Sequence, residues 1–198
     1  MEIVIASKNK GKIAEIINYD NTISKIDWLT FEDFKKIPNL EETGDSFLDN
    51  AIIKAEAISK YTGKAALADD SGLIVDALDG RPGIWSSRYA SPHATDKENR
   101  EKLLDEMKNV KDPGKRSARF VCSMILWDVS KGLIFKTEGV CEGSIGFKEK
   151  GIGGFGYDSI FIPERCVRTM AELNNREKNE ISHRGRALAD FYNFIVKL

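Results

Sequence analysis

The sequence predicts an α/β fold: a mixed, twisted central sheet with flanking helices, divided into two lobes. Strand and helix patterns alternate near both ends of the chain, and a long hairpin pattern occupies the middle. Since no linker longer than a turn interrupts these patterns, we expect residues 1–198 to form a single domain without a separable linker. We expect the functional site in a cleft between the two lobes.

The first half of the chain predicts strands and two helices. An apolar run, EIVIA, leads through the polar loop SKNKGK into a helix whose isoleucines have helical spacing. Ser46 and Asp49 then predict a capping box for a longer helix that ends at Gly63. Its apolar face contains Phe47, Leu48, Ala51, Ile52, Ala55 and Ile58. The segment ALADDSGLIVDAL follows as strand sequence.

The second half predicts a helix, a hairpin, a strand and a closing helix. Thr95 is the expected cap of TDKENREKLLDEM. Two runs rich in Val, Ile, Phe and Trp flank Ser130-Lys131-Gly132, which favours an antiparallel hairpin. SIFIP is a strand that Pro163 ends, and an amphipathic helix beginning near Ser182 closes the chain.

Composition excludes several classes of protein. The net charge of -1, with 41% hydrophobic and 31% charged residues, implies no general attraction to nucleic acid or to a membrane surface. The longest mostly apolar run is far shorter than the roughly 20 residues of a membrane span, and the first residues do not resemble a secretory signal. Three widely spaced cysteines fit reduced core thiols. We therefore expect a cytoplasmic protein.

Two acidic pairs are candidate metal ligands. Asp69 and Asp70 interrupt strand sequence, where an ionised carboxylate needs a cation or several donors. In an extended strand they point to opposite faces, so only one enters a site directly. Glu41 and Glu42 precede the long helix, and magnesium needs only one or two carboxylates besides substrate phosphates. The competing interpretations are a tight Asp-Ser-Gly turn and exposed surface charge.

The loop SKNKGK is a candidate phosphate site. Ser7, Asn9 and Lys12 accompany unpaired backbone N–H groups at a helix start, where the helix dipole also favours an anion. The loop lacks the GxxxxGK[ST] pattern, so it is not a P-loop. A solvated polar loop is the alternative.

Two further clusters offer ligand contacts. GIGGFGYD formally satisfies GxGxxG, but strand sequence follows where a dinucleotide-binding loop needs a helix. Phe155 and Tyr157 can still stack on a base, unless they belong to the core. In REKNEISHRGRA, Lys178, His183 and Arg184 gather donors near a helix start, although helix geometry directs the last two differently. The alternative there is a solvated basic face.

Six segments in this order resemble the inosine triphosphate pyrophosphatase family, whose members hydrolyse non-standard purine nucleoside triphosphates. The resemblance covers almost the whole chain. It rests on Ser7-x-Asn9-x-x-Lys12, EETGDSFLDNA, ADDSGL, GRPGIWSSRYA, GGFGYD and EKNEISHRGRA. The chain departs from the family at Ser159, where the family usually has proline.

The resemblance implies roles for individual residues. Glu42 and Asp70 resemble the ligands of Mg²⁺, and Asp70 also the acceptor of a proton from the attacking water. Glu41 and Asp69 would be less direct partners, and Ser71 a substrate contact, with Ser71-Gly72 making a turn that exposes the site. The triphosphate loop corresponds to Ser7, Lys8, Asn9, Lys10, Gly11 and Lys12. The contacts to base and sugar correspond to Phe155, Gly156, Tyr157, Asp158, Lys178, His183 and Arg184.

The implied protein is an elongated two-lobed enzyme, usually a homodimer. It would convert ITP, dITP or XTP to the nucleoside monophosphate and pyrophosphate, and so remove these nucleotides before they enter DNA or RNA. Two alternatives are a related nucleotide pyrophosphatase with a different base preference and a non-catalytic nucleotide sensor.

Overall fold

The computed structural model describes residues 1–19 and 26–198. In these ranges the strands are β1 (Glu2–Ile5), β2 (Asp27–Leu29), β3 (Ala65–Val75), β4 (Ser117–Asp128), β5 (Gly132–Ile145) and β6 (Phe161–Pro163). The longer helices are α1 (Lys10–Ile17), α2 (Phe47–Thr62), α3 (Asp96–Glu106), α4 (Asn175–Ile181) and α5 (His183–Ile195). Short 3-10 turns connect several of them.

The described strands form a mixed sheet in the order β2-β1-β3-β4-β5-β6. Strand β1 runs parallel to both β2 and β3, whereas β5 and β6 are antiparallel. Strands β4 and β5 are neighbours joined by only three residues, a connection that is long enough only for an antiparallel pair. The predicted α/β class and the central hairpin are therefore confirmed.

The turn predicted at Ser71-Gly72 is wrong, because β3 continues through it from Ala65 to Val75. Strand β1 pairs with β3 at Ala65–Leu67, and beyond these residues β3 continues as the neighbour of β4, with the N–H of Leu73 donating to Ser86 Oγ at 2.9 Å. Asp69 and Asp70 therefore lie within a strand and alternate between its two faces.

Two of the described elements, β2 and α4, were not predicted from the sequence. Strand β2 is only three residues long, and α4 is separated from α5 by Ser182 alone. Asn174 caps α4 with Glu177 in a capping box, a signal that the sequence does contain. Strand β6 starts at Phe161, later than the SIFIP pattern suggested, and ends at Pro163 as predicted. Within the two described ranges, no helix has the length and apolar character that crossing a membrane requires.

Helix α2 begins and ends where the sequence predicts. Ser46 is its N-cap and accepts a hydrogen bond from the backbone N–H of Asp49, while Gly63 ends it with a φ of 70°. Of the six predicted apolar residues, Phe47, Ala51, Ala55 and Ile58 are buried, whereas Leu48 and Ile52 are half-buried. Three polar residues of the helix, Asn50, Lys54 and Ser59, are buried as well.

Contacts within the chain divide it into two compact units. Unit 1 comprises Met1–Asp70, Cys122–Gly139 and Arg184–Leu198, and unit 2 comprises Ser71–Val121 and Val140–His183. Unit 1 has two apolar clusters, one including Ile5, Leu67 and Phe191 and the other including Val4, Ala55 and Ile125. Unit 2 has its own cluster, which includes Leu73, Leu103, Phe120 and Phe161. All three cysteines are free thiols, Cys122 and Cys141 buried and Cys166 half-buried.

A buried arginine stabilises unit 2. The guanidinium of Arg116 donates to the carbonyl oxygens of Met107 and Val110 after α3, and to those of Ile145 and Gly146 at the end of β5, at 2.7–2.9 Å. It thereby satisfies four carbonyl groups from two segments of the chain.

We expect Arg116→Leu to destabilise the protein by about 3 kcal/mol, because it leaves buried carbonyl groups without donors. Urea unfolding followed by circular dichroism measures the change. The matched control is Arg119→Leu, three residues later on β4, since the ion pairs of Arg119 with Asp76 and Glu142 are partly exposed and such pairs contribute roughly 0–1 kcal/mol. Equal losses in the two variants would contradict the assigned role of Arg116.

Candidate active site

The loop between β1 and α1 is ordered by its own side chains. Ser7 Oγ accepts a hydrogen bond from the N–H of Asn9 at 3.1 Å, and Asn9 Oδ1 accepts from the N–H of Lys12 at 3.1 Å. Asn9 is therefore the N-cap of α1. Lys8 and Lys10 are exposed, whereas Gly11 and Lys12 are half-buried. The loop thus places lysines and the positive end of a helix together, as the phosphate-site interpretation requires.

Asp69 is a fully buried carboxylate between two cations of unit 1. Its Oδ2 lies 3.2 Å from Lys12 Nζ and accepts from Arg184 Nε at 3.1 Å and Nη2 at 2.9 Å. Arg184 also pairs with Glu15 on α1. Burial raises the pKa of Asp69, but Arg184 and Lys12 lower it more, so the pKa lies well below the usual range. Asp69 is therefore a permanently charged anchor for Arg184 and Lys12.

The thiol of Cys122 on β4 is part of the same surroundings. Its Sγ is 3.8 Å from Asp69 Oδ2, a contact in which the thiol is the weak donor. Burial raises the pKa of this thiol, and the negative charge of Asp69 raises it further. Cys122 therefore stays protonated beside the carboxylate.

Asp70 points to the other face of β3 and meets α2. Lys54 Nζ donates to Asp70 Oδ1 at 2.9 Å and to Glu42 Oε1 at 2.8 Å, and Asn50 Nδ2 lies 3.4 Å from Asp70 Oδ2. Burial raises the pKa of Asp70, Lys54 and Lys12 lower it and Glu42 raises it, which leaves it above the ordinary value. Burial lowers the pKa of Lys54, but Asp70 and Glu42 raise it overall.

The segment EETG is held against α2 through Gly44. The N–H of Gly44 donates to Asn50 Oδ1 at 2.9 Å. A Cβ at Gly44 would lie 2.6 Å from Asp49 Cβ and 2.9 Å from Asn50 N, so a larger residue would push the segment away. This close approach brings Glu42 to Lys54, whereas its neighbour Glu41 is exposed.

The acidic residues beside Lys54 suit magnesium better than a metal that needs a full protein cage. Within residues 1–19 and 26–198, no group of three or more His, Cys, Asp or Glu side chains is arranged to hold a metal ion. Glu42 and Asp70 are hard oxygen donors brought to a common cation, Lys54. Magnesium is typically bound by one or two carboxylates together with substrate phosphates and water, and this donor set fits that pattern.

In unit 2 the glycine-rich loop forms a compact turn around Asp158. Asp158 Oδ2 accepts from the N–H of Phe155 at 2.9 Å and from Lys178 Nζ at 2.6 Å. Lys178 Nζ also lies 5.1 Å from the centre of the Phe155 ring. Gly154 has a φ of 71°, and a Cβ there would lie 2.0 Å from Asp158 Oδ2, so only glycine fits. An aromatic face, a carboxylate and an ammonium are thereby fixed together.

The other predicted contacts of unit 2 have separate neighbours. Tyr157 is buried, and its hydroxyl donates to the carbonyl oxygen of Ser86 at 2.8 Å, so this ring belongs to the core. The His183 ring stacks on Phe120 with centroids 4.7 Å apart. Ser71 is half-buried on β3. As predicted, a turn and then β6 follow the glycine-rich loop, which excludes a dinucleotide-binding motif there.

The structure groups the predicted residues differently from their sequence clusters. His183 and Arg184 are consecutive, yet Arg184 binds Asp69 in unit 1 and His183 stacks within unit 2, which confirms their predicted divergence. A cavity of about 500 Å³ in unit 2 is lined by Phe155, Gly156 and Asp158 together with the first turn of α3. It offers space beside the predicted base contacts.

Sequence reasoning missed Lys54, Asn50 and Glu15. Lys54 stands three residues after Ala51 and four before Ile58, so helical spacing puts it on the apolar face of α2. A lysine on a buried face requires a partner, and this was the signal that the sequence offered. Glu15 lies on a short helix and gives no comparable signal.

The chain is similar in sequence and in fold to known proteins of one family. The model of the Ham1 family matches residues 3–194. The dITP/XTP pyrophosphatases of Oceanobacillus iheyensis and Halalkalibacterium halodurans are each 48% identical, with 94% of this chain and 94% and 95% of those proteins covered. The solved HAM1 protein of Coxiella burnetii has a TM-score of 0.88 at 42% identity over 100% of both chains. The Ham1 protein of Staphylococcus aureus has a TM-score of 0.83 at 37% identity, with 98% of each chain covered.

We expect Asp69→Asn to destabilise the protein by about 3–5 kcal/mol at pH 7, because it leaves the buried guanidinium of Arg184 without this partner's charge. The folded-state pKa of Asp69 lies below the unfolded value of about 3.9, so its stabilisation is complete above that value and is lost as the pH falls through the folded-state pKa. The difference in free energy of unfolding between wild type and Asp69→Asn should therefore become smaller as the pH falls into this range.

Urea unfolding at several pH values from 7 downward measures this difference. The control is Asp105→Asn, which breaks an exposed ion pair with Lys108 and should cost less than about 1 kcal/mol. A difference between wild type and Asp69→Asn that grows in acid would contradict the assignment.

Proposed function

The chain belongs to the Ham1 family, and on that premise we propose that it hydrolyses non-standard purine nucleoside triphosphates, such as ITP, dITP and XTP. The products are the nucleoside monophosphate and pyrophosphate. The observation that carries the proposal is the pairing of Asp70 and Glu42 through Lys54 at the middle of β3. Buried acids beside a lysine are suited to a polyanionic substrate with a bound cation.

The triphosphate is assigned to unit 1. The loop supplies the backbone N–H groups of Lys8, Lys10 and Gly11, the positive end of α1 and the ammonium of Lys12, all of which favour phosphate oxygens. Lys54 lies between the two acids and adds a second buried cation. Together these groups neutralise charge as it develops on the oxygens of the leaving pyrophosphate.

Glu42 and Asp70 are the residues that would hold magnesium. When bound, the ion would supply charge neutralisation on the phosphate oxygens. Its ligand set would be completed by the substrate and water, since these two carboxylates provide only part of it. Asp69 is committed to Arg184 and Lys12 and is assigned to positioning.

Asp70 is assigned to water activation. A pKa above the ordinary value makes its carboxylate a better proton acceptor than an exposed aspartate. Water attacks the α-phosphorus, its proton passes to Asp70, and the bond from the α-phosphorus to the bridging oxygen breaks. One water is consumed for each monophosphate and pyrophosphate released.

The nucleoside end is assigned to unit 2. Phe155 offers a face on which a base can stack, and Lys178 is fixed beside it by Asp158. A hydrogen-bond donor such as Lys178 or His183 can bind the 6-oxo group of hypoxanthine and xanthine. Adenine has an amino group at that position, which would face this donor with another donor. In this proposal the site discriminates against guanine because it offers the 2-amino group either no hydrogen-bond acceptor or no space.

We further propose that the enzyme acts in the cytoplasm as a homodimer. Both assignments follow from the family resemblance. Sedimentation of the purified protein tests the dimer, and a single species of about 22.2 kDa would contradict it.

We expect monophosphate and pyrophosphate from ITP, dITP and XTP with magnesium, little product from GTP or ATP, and none with EDTA. Chromatography of the products measures both the bond cleaved and the base preference. Orthophosphate as the product would contradict the assigned bond. Turnover of modified pyrimidine nucleotides would favour a different base preference, and tight binding without turnover would favour a nucleotide sensor.

We expect Asp70→Asn to lower kcat by about 10²–10⁴-fold, the usual contribution of a general base. Removing a charge beside Lys54 should leave ITP binding measurable by calorimetry. The Asp105→Asn variant, which changes an exposed residue of α3, is the matched control. Turnover that survives in Asp70→Asn would remove Asp70 from the mechanism.

A further inference from the structure

The backbone of Gly156 is held by the first turns of α3 at both its N–H and its carbonyl group, that is, at the two peptide groups that flank its Cα. Its N–H donates to Asp96 Oδ2 at 2.7 Å, and its carbonyl oxygen accepts from Arg100 Nη1 at 2.8 Å. Asp96 and Arg100 are four residues apart, so one face of the helix presents both. Gly156 has a φ of 57°, which the two contacts fix.

The same arginine reaches a second point of the loop through Glu149. Arg100 Nε donates to Glu149 Oε2 at 2.8 Å, and Ser159 Oγ donates to the same oxygen at 2.9 Å. We call Asp96, Arg100, Glu149 and Ser159 the loop clamp. The clamp holds Gly156 directly and the end of the turn through Ser159.

The turn that the clamp holds includes Phe155, which is assigned to the base, and Asp158, which binds Lys178. The turn is closed by the N–H of Asp158, which donates to the carbonyl oxygen of Phe155 at 3.1 Å. The N–H of Gly156 belongs to the peptide group that joins it to Phe155, so a change in the orientation of that group would change the backbone that positions the Phe155 ring. Such a change also moves Asp158, which positions Lys178.

We infer that Asp96, Arg100, Glu149 and Ser159 are positioning residues that hold the Phe155–Asp158 turn in the form that binds the nucleoside. The inference rests on the proposed function and deepens it. If only a fraction of molecules has the competent turn, apparent affinity falls by that fraction. Asp70 and Lys54 are held by contacts within unit 1, so loosening the clamp should raise KM and leave kcat almost unchanged.

Ser159 gives the clamp a particular importance in this chain. A proline ring at this position would restrict the backbone without any partner. Ser159 lacks that restriction and instead donates to Glu149. The hydrogen bonds of the clamp therefore supply the rigidity that the ring would supply.

The test compares wild type with Arg100→Gln, and with Arg176→Gln as the matched control. Arg176 is 91% exposed and pairs only at the surface with Glu180. Amide hydrogen exchange of a peptide covering residues 149–159 reports the turn without substrate. We expect faster exchange in Arg100→Gln, and a KM for ITP raised about tenfold with kcat within about twofold.

Two more variants separate positioning from loss of fold. Ser159→Ala removes one hydroxyl and should raise KM about two- to threefold with unchanged thermal unfolding. Adding Ser159→Pro to Arg100→Gln should slow the exchange again and recover part of the lost affinity.

Unchanged exchange in Arg100→Gln would overturn the clamp, and so would faster exchange with an unchanged KM. A fall in kcat as large as the rise in KM would also overturn the clamp, because it would show that the change is not confined to nucleoside binding. A wild-type protein that does not hydrolyse ITP would instead contradict the proposed function, and the exchange result would still report on the turn.

Discussion

The ion pair between Asp69 and Arg184 is the constraint on which the site in unit 1 depends. Asp69 lies within a strand that has neighbours on both edges, and a carboxylate is stable there only with cations beside it. Arg184 from α5 and Lys12 from α1 meet it, and Glu15 completes the charge balance around Arg184. Three elements of the chain, β3, α1 and α5, are thus held together around one buried carboxylate.

The alternation of β3 places its two adjacent carboxylates in different surroundings. Asp69 faces the cations of α1 and α5, while Asp70, one residue later, faces α2 and the EETG segment. The first carboxylate has a lowered pKa and the second a raised one, although they share a strand. Two adjacent carboxylates thus have opposite pKa shifts because one lies beside Arg184 and Lys12, whereas burial outweighs the effect of Lys54 at the other.

Most of the fold and part of the site could be predicted from the sequence. Caps, glycine stops and apolar periodicity placed α2, α3 and the hairpin because these signals act locally. The Asp-Ser-Gly segment was misread as a turn, since the neighbouring strand β4 is distant from it in sequence. Lys54 was missed for the same reason: its partners Glu42 and Asp70 belong to other elements. Tertiary contacts decided each of these cases.

The cysteine thiols can report local unfolding of the protein through their reaction with a thiol reagent. Cys122 is buried beside Asp69 in unit 1, Cys141 is buried in unit 2, and Cys166 is half-buried. Because only a thiolate reacts and burial keeps Cys122 protonated, a thiol reagent modifies it only when the surrounding structure opens. Comparing the labelling rates of Cys122 and Cys141 would reveal whether unit 1 and unit 2 open together or one at a time.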